Sequence, residues 1–191
     1  TSFISSMGKR FLLTLLSLFV FAGTCFAYSN PRWFTMPVTV YLPKQAESTY
    51  VTNAFKTWQL ESKSTVRFLY RNAPHLANLS NITVAYTDYL PDNKAYNVSF
   101  TLPQFGSARY TMNNKYFYNA DIVIALKGKD GKVLTPKQLN AVALQAVGYA
   151  VGIKLNSDKD TVMYKESDFS KNALTPADLQ AVHDVYKPVK K

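Results

Sequence analysis

Residues 134–164 read LTPKQLNAVALQAVGYAVGIKLNSDKDTVMY, and the chain is organised around them. The stretch opens with signals that start a helix. Thr135 suits the N-cap, Pro136 the first helical position, and Gln138 the third, where a capping box needs Glu or Gln. Leu139, Val142, Ala143, Ala146, Val147 and Ala150 then keep helical spacing, which predicts one apolar face. Gly152 gives the helix a place to end and the chain a place to turn. Asn156-Ser157-Asp158 and Val162-Met163-Tyr164 follow the turn.

Helix, glycine and methionine in this order resemble the active-site helix and Met-turn of matrixin-type metzincin metalloproteases. The family pattern is H-E-x-x-H-x-x-G-x-x-H, followed by a loop and a tight turn containing Met. The resemblance puts the family glycine on Gly152 and the Met-turn on Met163, both structural positions. It puts the chemical positions on Gln145, Ala146, Tyr149 and Leu155. In the enzymes, the first two histidines project from one helix face a turn apart, and the glycine returns the chain so that a third reaches the same zinc. Zinc lowers the pKa of its bound water to about 7, and the glutamate takes the proton. Here Gln145 offers an amide, a poor zinc ligand beside a neutral imidazole. Ala146 offers no base, Tyr149 a phenol, and Leu155 nothing. The whole chain has 2 histidines, His75 and His183, so no three-histidine centre can be built within it.

The flanks extend the likeness. Pro31-Arg32-Trp33 precedes an alternating strand at residues 38–42, as at the start of a matrixin catalytic domain. Ser48 or Thr49 suits the cap of a helix whose Val51, Ala54, Phe55 and Trp58 form an inward stripe. Strands are predicted at residues 65–70, 81–86, 97–102 and 120–126, the third of these an inserted or edge strand. Loops are expected at residues 71–80, around His75, and at 88–94. Residues 104–114 hold a turn at Gly106-Ser107-Ala108 and suit a further edge segment. Thr175, Pro176 and Asp178 predict a capped last helix with Leu179, Val182 and Tyr186 facing inward. The resemblance runs in order from Arg32 to Tyr186.

It implies an α+β fold of the zincin-like kind: a twisted mixed β-sheet with packed helices, an active-site-type helix, a Met-turn and a C-terminal helix. It also implies a pseudoprotease, which binds a peptide or protein partner in the former substrate cleft. Gln145 and Tyr149 would line the cleft floor, and neither zinc nor another cofactor is expected. Two other readings stay open. One is an active metal-dependent peptidase with ligands outside the family set, drawn from Asp158, Asp160, Glu166 or His183. The other is a plain domain that binds the cell surface or envelope.

Composition sets outer bounds. The 191 residues suit one domain, and 13 tyrosines with 12 phenylalanines supply enough apolar area for a core. Lys9 and Arg10, the apolar residues 11–22 and the small-residue site at Cys25-Phe26-Ala27 read as a signal peptide over residues 1–27. Met7 is a candidate start, and Tyr28 begins the domain at 28–191. A lipid on Cys25 and a retained anchor are the alternatives to cleavage. A secreted or periplasmic protein follows, with no intrachain disulfide, because Cys25 is the single cysteine. The net charge of +10 falls to +8 when the segment holding Lys9 and Arg10 is removed. Lys127, Lys129, Lys132 and Lys137 form a cluster able to meet an anionic surface, with more lysines at 187, 190 and 191. No nucleic-acid motif accompanies the charge, and no nucleic-acid partner is expected. Asn78, Asn81 and Asn97 head formal glycosylation triplets.

Overall fold

Alternating apolar and polar residues build a sheet with one dry face. The computed structural model describes residues 31–101 and 116–187. The expected signal segment at residues 1–27, the expected turn at 106–108 and Lys190 and Lys191 lie outside the described residues. The strands are β1 (Arg32–Trp33), β2 (Val38–Tyr41), β3 (Phe68–Arg71), β4 (Ile82–Thr87), β5 (Tyr96–Thr101), β6 (Tyr116–Phe117) and β7 (Asn119–Ala125). The α-helices are α1 (Ser48–Glu61), α2 (Pro136–Ala150) and α3 (Pro176–Val185). The main sheet runs β3-β2-β4-β7-β5, with β5 antiparallel at one edge and the other pairs parallel. A second parallel pair joins β1 to β6. The architecture is mixed α+β. No helix among the described residues is long and apolar enough to cross a membrane.

Val38, Val40, Ile82, Val84, Ile122 and Ile124 are buried on the inner face. Thr39, Thr83 and Asp121 lie on the outer face. Asn81 Oδ1 accepts from the Thr39 amide at 3.1 Å and its hydroxyl at 2.8 Å, and Thr83 donates to the Asp121 carboxylate. Parallel strands are usually covered on both faces by their crossover helices. Here side-chain hydrogen bonds across the strands let one face stay wet.

The stripe on α1 is inward as its spacing predicts: Val51, Ala54, Phe55 and Trp58 are buried. The expected cap is not. Glu47 precedes the helix without a side-chain cap bond, because the Ser48 hydroxyl is captured by the Pro43 carbonyl at 2.6 Å. The second strand starts at Phe68 rather than 65, since Lys63 and Ser64 take positive φ and Thr65 closes that turn on Ser62. Pro74 turns part of the expected loop around His75 into a short 3-10 segment, Pro74–Leu79. Residues 96–101 form the predicted edge strand.

Both capping boxes form as the sequence predicts. The Thr135 amide donates to Gln138 Oε1 at 2.9 Å, and the Thr175 amide donates to Asp178 Oδ2 at 2.9 Å. α2 lies against α1, and the Trp58 indole N–H donates to the Leu144 carbonyl at 2.9 Å. Gly148 makes this approach possible. A Cβ there would stand 2.5 Å from Met163 Sδ and 2.7 Å from Trp58 Cζ2. Gly152 ends the helix at φ +99°, where a Cβ would also meet the Pro31 carbonyl at 2.5 Å.

The two ends of the described fold are tied together. Trp33 is buried and its indole N–H donates to the Ala150 carbonyl at 2.9 Å. The Arg32 guanidinium donates to the carbonyls of Val185 and Lys187 at 3.1 and 2.9 Å, and so satisfies groups that the end of α3 leaves free. The Tyr186 hydroxyl donates to the Val151 carbonyl at 2.8 Å.

Gly148 gives a test that sets packing against propensity. Helix propensity alone predicts that Gly148→Ala stabilises by about 1 kcal/mol. The contacts with Met163 and Trp58 predict the reverse, a loss of about 1–3 kcal/mol from overpacking. The midpoint of urea unfolding, followed by circular dichroism, reads the sign directly.

Candidate functional site

Gln145 lies on the inner face of α2 and is 3% exposed. Its amide nitrogen donates to the carbonyls of Val162 and Tyr164 at 2.7 and 2.8 Å. Its amide oxygen accepts from the Tyr96 hydroxyl on β5 at 3.0 Å. Carbonyl oxygens only accept, so the amino group must face them. The side chain is therefore committed to one turn of backbone and one strand.

Asp178 holds the same turn from the other side. It is 1% exposed, and its carboxylate accepts from the amides of Val162 and Met163 at 3.1 and 3.3 Å. It also accepts from the amide and hydroxyl of Thr175 at 2.9 and 2.8 Å, which is its capping role. The sequence signals the cap alone. The second role joins residues brought together only by docking of α3, and no local spacing marks it. Met163 is fully buried in this turn, with its sulfur below Gly148.

The other positions that the resemblance singles out go to three different places. Ala146 is fully buried. Tyr149 is half-buried, and its ring centroid lies 5.8 Å from that of Phe100. Phe100 in turn stacks on Phe117 at 4.1 Å, and Trp33 meets Phe117 edge-on at 5.5 Å. Tyr149, Phe100, Phe117, Gly152, Ile153, Lys154 and Pro31 enclose a mostly apolar pocket of about 220 Å³. Leu155 is 38% exposed at the surface. Of the two residues expected on a cleft floor, Tyr149 reaches a pocket wall, while Gln145 is sealed in the core by its own hydrogen bonds.

These residues do not fit zinc. Gln145 presents N–H groups to its neighbours, and its one carbonyl oxygen already takes a tyrosine proton. Ala146 has no donor atom, and the phenol of Tyr149 stands among aromatic rings. The other candidate ligands are engaged separately. Asp158 accepts from the Asp160 amide, Glu166 accepts from the Tyr164 hydroxyl, and His183 Nδ1 lies 2.9 Å from the Thr65 hydroxyl. His75 is exposed on its 3-10 turn. Among the described residues no three His, Cys, Asp or Glu side chains converge on one point.

The lysine cluster divides. Lys127 pairs with Asp88 at 2.7 Å, with Tyr89 5.4 Å below its ammonium, and Lys132 pairs with Asp130 at 3.3 Å. The hydrogen bond to Asp88 holds the Lys127 ammonium above its ordinary pKa. Lys129 and Lys137 are exposed.

No family model and no curated protein matches the chain. The site is thus read from its own geometry. Burial pushes the phenol of Tyr96 up, with neighbouring Tyr149 adding to the shift, so Tyr96 stays a hydrogen-bond donor to Gln145 well into alkaline pH. Burial likewise raises Tyr186, and it pushes Tyr70 and Tyr86 up to about 12.

Gln145→Ala strands the Val162 and Tyr164 carbonyls and opens a cavity, at an expected cost of about 2–4 kcal/mol in denaturant unfolding. Gln145→Glu is expected to cost more at neutral pH, because a carboxylate would face two carbonyls. Its deficit narrows as the pH falls and the carboxyl regains a proton, since the folded state then binds the proton more tightly than the unfolded chain. The tyrosines give a second dependence. Their folded pKa values exceed the unfolded value near 10, so their stabilisation is present below about pH 10 and is lost as the pH rises through about 12. Phenolate absorbance titrated beside circular dichroism is expected to show part of the tyrosines ionising only with unfolding.

Proposed function

We propose that the chain is a secreted, matrixin-like pseudoprotease that binds an extended peptide or a partner protein and performs no hydrolysis. On this reading the fold is zincin-like and the turn at Met163 stands for the Met-turn. The observation that carries it is the state of Gln145. The residue at the first zinc-ligand position spends its amide on the turn that follows, and so replaces an ion-centred site with a hydrogen-bonded core. A mixed sheet with one antiparallel edge strand beside the central helix supports the same reading.

Binding would use what remains at the surface. β5 ends the main sheet among the described residues, which leaves one strand edge for backbone pairing. The apolar pocket beside Tyr149 lies next to it, since Phe100 belongs to both. An extended segment could pair with the edge and place one apolar side chain against Tyr149 and Phe117. Lys154 at the rim favours a neighbouring acidic residue in the partner.

The test has two arms on the full chain. Unfolded casein is expected to stay intact with zinc added and with chelator added. Peptides selected by display against the protein are expected to carry a large apolar residue, and Tyr149→Ala is expected to weaken them about tenfold. Casein cleavage that stops with chelator would sink the proposal.

A further inference from the structure

A second cavity on the described surface lies away from Tyr149 and Gln145. It is open, about 490 Å³, and sits where β2 and β3 end against the first turns of α1. Open sheets with parallel strands commonly bind ligands outside the carboxyl ends of those strands. Lys44, Lys56 and Arg71 line this cavity, and no Asp or Glu does. None of these cations forms a salt bridge among the described residues, whereas Lys94, Lys127, Lys132 and Lys187 each have an acidic partner. Arg71 is held in place by a bond from Nη1 to the Leu79 carbonyl at 2.9 Å. A guanidinium has five N–H donors, so most of that fork stays available.

A second observation concerns Tyr70, which also lines the cavity. Its hydroxyl is the one buried side-chain polar atom among the described residues without a hydrogen-bond partner. Burial pushes its phenol up to about 12, so the orphan is a protonated donor at neutral pH. The hydroxyl is shielded from solvent, so Tyr70 lines the cavity through its other atoms. The remaining wall includes the amides of Asn53 and Asn72. Each amide both donates and accepts, which suits hydroxyl groups. The backbone N–H groups at the start of α1 contribute little. Those of Ser48, Thr49 and Tyr50 are already bonded to Gln45, Ala46 and Glu47.

We propose that this cavity binds a small phosphorylated polyol carrying a terminal phosphate. Lys44, Lys56 and Arg71 meet the phosphate, Asn53 and Asn72 meet the hydroxyls, and Tyr70 forms part of the wall. A dianionic phosphate answers the unpaired cations, and the volume is of the size that holds a whole small molecule rather than a bare oxyanion. This pocket shares no residue with the one beside Tyr149, so either reading can fail without the other.

The experiment is calorimetric titration of the full chain, with amide chemical shifts as a second readout. Glucose 6-phosphate is the probe, and glucose, inorganic phosphate and a glucose phosphodiester are the comparisons. Glucose 6-phosphate is expected to bind at least about tenfold more tightly than each comparison, and to shift the amides around Asn53, Lys56 and Arg71. Lys56→Gln with Arg71→Gln is expected to weaken it about tenfold or more, and Asn53→Ala by severalfold, with thermal unfolding unchanged or raised. Binding no tighter than glucose overturns the assignment. So does inorganic phosphate that binds as tightly, a diester that binds more tightly, or full affinity in either folded variant.

Discussion

The structure depends on the double grip that Gln145 and Asp178 keep on the turn at residues 161–164. One side chain takes its carbonyls and the other its amides. Neither gripping group is exposed to water. Each therefore acts where a missing partner leaves a buried polar group unsatisfied, and such a loss is costly. The grip also sets the larger geometry. Through Tyr96 it fixes the edge strand to the central helix, and through Thr175 it fixes the start of the last helix. Met163 is pressed under Gly148, where the two central helices come close to Trp58.

An amide at the centre of a fold cannot do what a metal ion does there. A metal centre needs lone pairs converging on a point and an open position for water. The Gln145 amide sends its protons outward to two carbonyls and leaves no open position. What the arrangement gives is a satisfied core, and the aromatic pocket at Tyr149 lies apart from it. That pocket is shaped by stacked rings from β5 and β6, and its lining is mainly apolar. Recognition by shape and burial is the chemistry left to it.

Much of the fold was legible because its determinants are local. The boxes at Thr135 and Thr175 need only residues three apart, and both form. The stripe from Val51 to Trp58 needs only helical spacing. The α1 cap was not legible, because the Ser48 hydroxyl is taken by Pro43 in a turn that the sequence does not announce. The same holds for the site. The family resemblance alone singled out Gln145, Tyr149 and Met163, but the bonds that bury Gln145 come from β5 and from the turn after α2. The basic cavity was also hidden, since Lys44, Lys56 and Arg71 come from a loop, a helix and a strand, and their lack of acidic partners is a tertiary fact. The lysine run around 127–137 was visible in the sequence, yet two of its charges turn out to be paired.

Arg32 reaches 153 residues along the chain to cap the end of the last helix, and Trp33 reaches 117 to the end of the central one. During synthesis, strand β1 leaves the ribosome long before the carbonyls it must satisfy exist. Its indole waits for the end of α2, and its guanidinium waits until α3 has emerged and docked. The sheet and α1 have nearer partners and can form earlier. Closure of the fold is thus a late event in a chain dominated by distant pairings, which slows folding and prolongs exposure of the core. A chaperone that shields apolar surface would find its substrate in that interval.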